Sequence, residues 1–386
     1  MRIERTQARQ LLGLELNALG VAGPPSLTGE LEGARIGEEG TPVYDPNGEV
    51  LFYRFLVADG GEPGFADGAA RAELGAPLLA VSTGMQWNES ALVEEAMEVA
   101  RSRGADFDET RFVAFSFPKV GIQFLRAGEE IVLLELGSWE PVPELRDSED
   151  RPPLEPSNFE RWSLLDELPE GRSEAARRNY ESRIEGWEPA LRDIDTTIVE
   201  RAQLSAFDLR LQDSRELHYD DGDAGHHICF ELHGQETSLW CVGASIQMLL
   251  AFYRYGYSQD RLAEALGLGT RQEPSGLAYA RVEDVVAQIE TLTSNALEAE
   301  MIQDPEFEFF RDEIDANRPL ISFVPSHSRA IAGYIRYHFT DLGPRPFRGL
   351  LVYDPWPPST GVITRWENWD TQIYQYGYRA RVKIVP

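Results

Sequence analysis

The stretch GQETSLWCVGASIQMLLAFYRYGYSQDRLAEALGLG, Gly234 to Gly269, puts one of the chain's two cysteines behind a short polar loop and at the head of an amphipathic run. Ala244, Met248, Leu249 and Phe252 recur at three- and four-residue spacing, which predicts a helix beginning near Trp240 and buried on that side. A second short helix follows, capped by Ser258 and stopped by glycine. Cys241 therefore opens a helix, where free N–H groups and the aligned peptide dipoles favour a thiolate. Four roles fit a lone cysteine there: small core residue, metal ligand, half of a disulfide, or nucleophile.

The chain has 386 residues, 42% hydrophobic and 10% aromatic, enough for a sizeable core and more than one compact domain usually holds. Two cysteines cannot build a disulfide framework, and nothing in the sequence asks for an oxidising compartment. The opening MRIERTQARQLLGLELNALGVAGPP is charged and lacks a long apolar core. It reads as an amphipathic helix rather than a signal peptide, so a cytoplasmic location is expected, with secretion left open. No stretch approaches the ~18 apolar residues of a membrane span. Acidic residues outnumber basic ones by 65 to 36, a net charge of −29, and lysine occurs only at Lys119 and Lys383. Such a chain repels nucleic acid and anionic membrane, which excludes both as main partners. A salty cytosol, where salt screens carboxylate repulsion, and an arginine-biased genome account equally well for this balance.

Three regions are expected. Residues 1–145 read as a small α+β domain with an antiparallel sheet. It contains the hairpin TPVYDPNGEVLFYRFLVADG, turning at Asp-Pro-Asn-Gly, and the helix NESALVEEAMEVARSRG, capped by Asn88. No catalytic cluster stands out in it, which suggests packing or docking. Residues 146–216 begin with the charged, proline-rich RDSEDRPPLEP and read as a charged helical linker. Residues 217–386 place helices first and the strands PLISFV, HSRAIAGYIRYHF, RGLLVYDPW and YRARVKIV second, a helical lobe and an antiparallel sheet lobe with a cleft between them.

A cysteine nucleophile needs a histidine within hydrogen-bond reach, a third group to orient that histidine, and donors for the developing oxyanion. His327 starts a strand, Asp354 ends the next, and Gln235 carries a side-chain amide six residues before Cys241. His338 is a rival base, placed well into the same strand and expected at the surface. HHICFELH, with His226, His227, Cys229 and His233, has metal-ligand residue types, but no fourth ligand with suitable spacing accompanies it. A Cys229–Cys241 disulfide would disable the nucleophile.

GQETSLWC, HSRAIAGY and VYDPWPPSTG, in this order, resemble the papain-like cysteine peptidases, most closely their bacterial branch that processes bacteriocin leaders. The resemblance covers about Leu217–Pro386. It implies that Gln235 supports the oxyanion hole, Cys241 attacks the carbonyl, His327 transfers the proton, Asp354 orients His327, and Trp356 shields Asp354 from water. It implies a peptide or protein substrate, no cofactor and no metal. One departure is Arg329 beside His327, suited to an anionic substrate or to solvent. The N-terminal half resembles sheet modules that precede some of these peptidases as propeptides, so it is expected to dock on the cleft or block it until removed. Two alternatives share the site: acyl transfer to an amine, as in transglutaminase-like enzymes, and a catalytically inactive papain-like binding protein.

Overall fold

The computed structural model describes residues 1–23, 31–58, 64–83, 87–142, 161–167, 170–220, 227–278, 281–303, 305–324, 326–342, 346–371 and 378–384. Its helices are α1 (Arg5–Ala22), α2 (Glu89–Ser102), α3 (Leu164–Glu167), α4 (Glu170–Trp187), α5 (Cys241–Phe252), α6 (Gln259–Leu266), α7 (Glu283–Leu292) and α8 (Phe307–Asp315). The N-terminal strands are β1 (Arg35–Ile36), β2 (Thr41–Tyr44), β3 (Val50–Ala58), β4 (Gly64–Ala69), β5 (Leu78–Thr83), β6 (Glu109–Ser116), β7 (Lys119–Arg126) and β8 (Glu129–Glu135). Then come β9 (Leu209–Glu216), β10 (His218–Asp220), β11 (His227–Cys229), β12 (Leu297–Gln303), β13 (Leu320–Val324), β14 (His327–Phe339), β15 (Phe347–Asp354), β16 (Val362–Asn368) and β17 (Tyr378–Ile384). The protein is thus mixed α+β. Among the described residues no helix is long and apolar enough to cross a membrane.

Short hairpins account for much of the sheet. The Asp-Pro-Asn-Gly turn joins β2 to β3, with Asp45 N–H donating to the Glu49 carbonyl at 2.8 Å and Gly48 at φ 86°, a conformation that favours glycine. Repeated pairing of this kind runs through one large sheet in the order β12-β17-β13-β14-β15-β16-β5-β4-β3-β2-β6-β7-β8, with β9 beside β14 and β1 beside β3. Neighbours are antiparallel except β2 and β6.

The β5–β16 pairing carries the backbone ladder from the N-terminal strands into the C-terminal ones, with Val81 opposite Trp366 and Ala80 opposite Glu367. Side chains reinforce the join. The Ser82 and Thr364 hydroxyls meet at 3.2 Å in the interior, and Asn368 Nδ2 donates to the Leu78 carbonyl at 2.9 Å. One apolar core crosses this join, from Leu12 and Phe52 to Leu351 and Trp366. A second gathers Trp240, Ile246 and Leu249 against α6, α7 and β13.

Two elements differ from the sequence expectation. Only Gln247 and Ala251 of α5 escape full burial, where one buried face was expected. The helix is wedged between the two cores: Met248 and Phe252 join the first, Ile246 and Leu249 the second. Likewise α1 is buried along most of its length, including Glu15, whose carboxylate accepts Arg183 Nη2 at 2.7 Å and Trp187 Nε1 at 2.9 Å. That pairing compensates the desolvation of a buried charge and ties α1 to α4. The stretch expected as a helical linker contains α4 but ends in β9, which pairs antiparallel with β14; residues 146–156 lie outside the described residues.

Candidate active site

The site is assembled where three loops meet at one end of the sheet. Val324 and His327 face each other in register, and His327 follows a turn at Ser326 as the first residue of β14. Ser326 takes φ 58° in that turn. The adjacent β15 ends on Asp354, and its Oδ1 lies 2.6 Å from His327 Nε2. The Trp356 backbone N–H donates to the same oxygen at 2.9 Å, which fixes the carboxylate and, through it, the imidazole. Trp356 is itself buried, as expected of a shield.

Cys241 reaches this pair from the helical side. Its loop is zipped to the loop that follows Asp354: Gln235 N–H donates to the Pro355 carbonyl at 2.8 Å, and Ser359 N–H to the Gln235 carbonyl at 2.7 Å. The loops touch so closely that a Cβ on Gly234 would fall 2.7 Å from Ser359 and Thr360 backbone atoms, so an alanine there would force them apart. Trp240 Nε1 donates to the Leu268 carbonyl at 2.9 Å and anchors the helix start. No side chain caps α5, which leaves its first N–H groups to act on Cys241 and on any bound oxyanion. The Cys241 thiol shares a hydrogen bond with the His327 ring. With Nε2 on Asp354, Nδ1 is the nitrogen left for the sulfur. Gln235 is buried, and its Nε2 donates one hydrogen to the Thr237 carbonyl at 2.8 Å; the amide's second hydrogen remains for another acceptor.

The electrostatics favour separated charge. Burial pushes the Cys241 thiol up. The hydrogen bond and charge of His327, the Lys119 ammonium and the backbone of Ser328 oppose it and hold the thiol below its ordinary value. Burial pulls His327 down, but the charge and hydrogen bond of Asp354, with Cys241 adding to them, lift it above the usual imidazole range. The arrangement can therefore hold a thiolate beside an imidazolium, oriented by a carboxylate.

Two further charged groups enter from the N-terminal strands. Lys119 and Glu135 are only 3% and 5% exposed, and both act electrostatically on this site. Sequence reasoning missed them. The available signal was the rarity of lysine in a chain that otherwise uses arginine. Arg329, expected at solvent or on an anionic substrate, is 1% exposed and ion-paired with the buried Glu367. It forms part of the β14–β16 interior because its strand is covered on both faces. His338 is half-buried near the far end of β14, opposite Leu211 of β9. Among the described residues no group of three or more His, Cys, Asp or Glu side chains is placed to hold a metal ion. His226 lies outside the described residues, while His227 and Cys229 belong to β11.

Residues 227–383 match the model of the Peptidase_C39 like family. This C-terminal part fits a papain-like cysteine peptidase, and the match supports a cysteine-type hydrolase. No curated protein matches the chain.

Proposed function

We propose that this chain hydrolyses peptide bonds with Cys241 as nucleophile, in the manner of the bacteriocin-leader-processing branch of papain-like peptidases. Residues 217–386 are the catalytic unit, with the α5–α7 helices and the β13–β16 strands as its two lobes. Residues 1–145 dock on that unit, and residues 146–216 connect the two. The observation that carries the reading is the buried chain of contacts from the Cys241 thiol through His327 to Asp354, at the start of an uncapped helix.

The chemistry follows from that geometry. The Cys241 thiolate attacks the substrate carbonyl carbon, and the carbonyl π electrons move onto oxygen. The Cys241 backbone N–H and the Gln235 amide stabilise the oxyanion. The intermediate collapses, the C–N bond breaks, and the His327 imidazolium gives its proton to the departing amine. Neutral His327 then takes a proton from water, whose oxygen attacks the thioester and returns the thiolate with the carboxylic product. Asp354 keeps the ring in place throughout.

Activity should be bell-shaped in pH, with an acid limb from Cys241 below the ordinary thiol range and an alkaline limb from His327 above the ordinary imidazole range. Asp354 stabilises the imidazolium, so neutral asparagine lowers the His327 pKa. Asp354→Asn should move the alkaline limb of kcat/KM to lower pH by about one unit, a tenfold loss at fixed alkaline pH. An unmoved alkaline limb on a peptide-library substrate would contradict Asp354's role.

One observation keeps amine acyl transfer as a second reading. Cys241 and His327 are 3% and 4% exposed, and a dry site disfavours the water that hydrolysis needs. Incorporation of a labelled primary amine in place of peptide cleavage would favour that reading.

A further inference from the structure

We propose that Lys119 and Glu135 are built into the active site, and that Lys119 is a positioning residue whose ammonium favours the thiolate of Cys241. The proposal rests on the reading of Cys241 as nucleophile and adds to it two groups from the other half of the chain.

The strand geometry delivers them. Ser116 and Lys119 face each other at the tip of the β6–β7 hairpin, and the intervening Phe117 and Pro118 line one cavity with Asp354 and Trp356. Glu135, opposite Gly121 of β7, ends β8. It accepts Trp356 Nε1 at 3.1 Å and the Ser138 hydroxyl at 2.7 Å. The following turn lies against the loop after Asp354, where a Cβ on Gly137 would stand 2.9 Å from Pro357 Cβ. The hairpin tip and the end of β8 thus form one wall of the site.

Burying a lysine and a glutamate is costly unless their charges are compensated. Burial draws the Lys119 ammonium below its ordinary range and lifts the Glu135 carboxyl above its own, and the charges of the site offset part of both shifts. The charges acting on Lys119 are those of Glu135, Cys241 and Asp354, and Glu135 acts in turn on His327. Signs alternate: Lys119 and His327 favour the thiolate, while Asp354 and Glu135 favour the imidazolium. A lysine needed only to pack the two halves together would not change the ionisation of Cys241, and that difference is measurable.

Thiolate content of the full chain is read from its ultraviolet absorbance across pH, with the Cys241→Ser signal subtracted to remove Cys229 and the tyrosines. Lys119→Met should raise the acid-side step by about one pH unit, a tenfold loss of thiolate below it. Lys119→Arg, which keeps the charge, should stay near the wild type. Glu135→Gln should instead lower the alkaline step, read as the alkaline limb of kcat/KM on a peptide-library substrate, because its charge supports the His327 imidazolium. Steps unchanged in Lys119→Met and Glu135→Gln, with the acid-side step abolished in His327→Ala, would overturn the proposal and leave the Cys241–His327 reading standing. A wild type with no thiolate below the ordinary thiol range would overturn both. Should circular dichroism show Lys119→Met unfolded, Glu135→Gln decides: a lowered alkaline step supports the cluster, and an unmoved one refutes it.

Discussion

Cys241→Ala should abolish peptide hydrolysis, lowering kcat by a factor on the order of 10⁵ or more, because it removes the sulfur that attacks the carbonyl. The variant should keep its fold. Cys241 is small, and alanine removes one sulfur from a helix held on both sides by Met248, Phe252, Ile246 and Leu249. His327→Ala should be nearly as severe, since the thiolate loses its proton partner and the leaving amine its proton source. The double variant should lose little more than either single one, as expected of residues that act as one unit. Turnover of a peptide library by each purified variant, beside its thermal unfolding curve, measures this. Cleavage at the wild-type rate by folded Cys241→Ala would mean that the chemistry lies elsewhere.

The second large effect concerns the N-terminal half. A segment removable as a propeptide leaves a self-sufficient enzyme behind. Here β5 supplies the backbone partners of β16, and Trp366, fully buried in the complete chain, sits in a core that includes Leu12, Phe52 and Phe65. Removing residues 1–216 would expose β16 as an edge and also strip β9 from β14. Baring even about 400 Å² of apolar surface costs about 10 kcal/mol at 25 cal/mol/Å², comparable with the whole stability of a typical domain. Residues 217–386 alone should therefore show no cooperative unfolding transition and no activity. A folded fragment more active than the full chain would instead establish the N-terminal half as an inhibitor.

The positions of the three central side chains were legible because each depends on local signals. Cys241 stands where an apolar helical period begins after a turn-rich loop. His327 follows Pro325-Ser326 at a strand start, and Asp354 precedes a proline that ends a strand. Their order in the sequence carried the resemblance, and the Asp-Pro-Trp segment placed Trp356. What was not legible depends on contacts across long chain separations. Lys119 and Glu135 reach the site only because β5 joins β16 and turns the β6–β8 meander over the loop after Asp354. No periodicity near Lys119 encodes that meeting. The two-sided burial of α5 escaped notice for a related reason: its second face, with Val242, Ile246, Leu249 and Leu250, is covered by helices and strands that follow it in the chain. Arg329 looked exposed because a buried arginine requires a specific acid, and Glu367 lies two strands away.

The most direct measurement is covalent labelling of the full chain by a peptide-based electrophile near neutral pH, read by mass spectrometry of its fragments. A single adduct is expected, on Cys241, formed faster than a free thiol would react and lost in His327→Ala. A label on Cys229 instead, or a Cys241 that reacts no faster in the presence of His327 than in its absence, would contradict it.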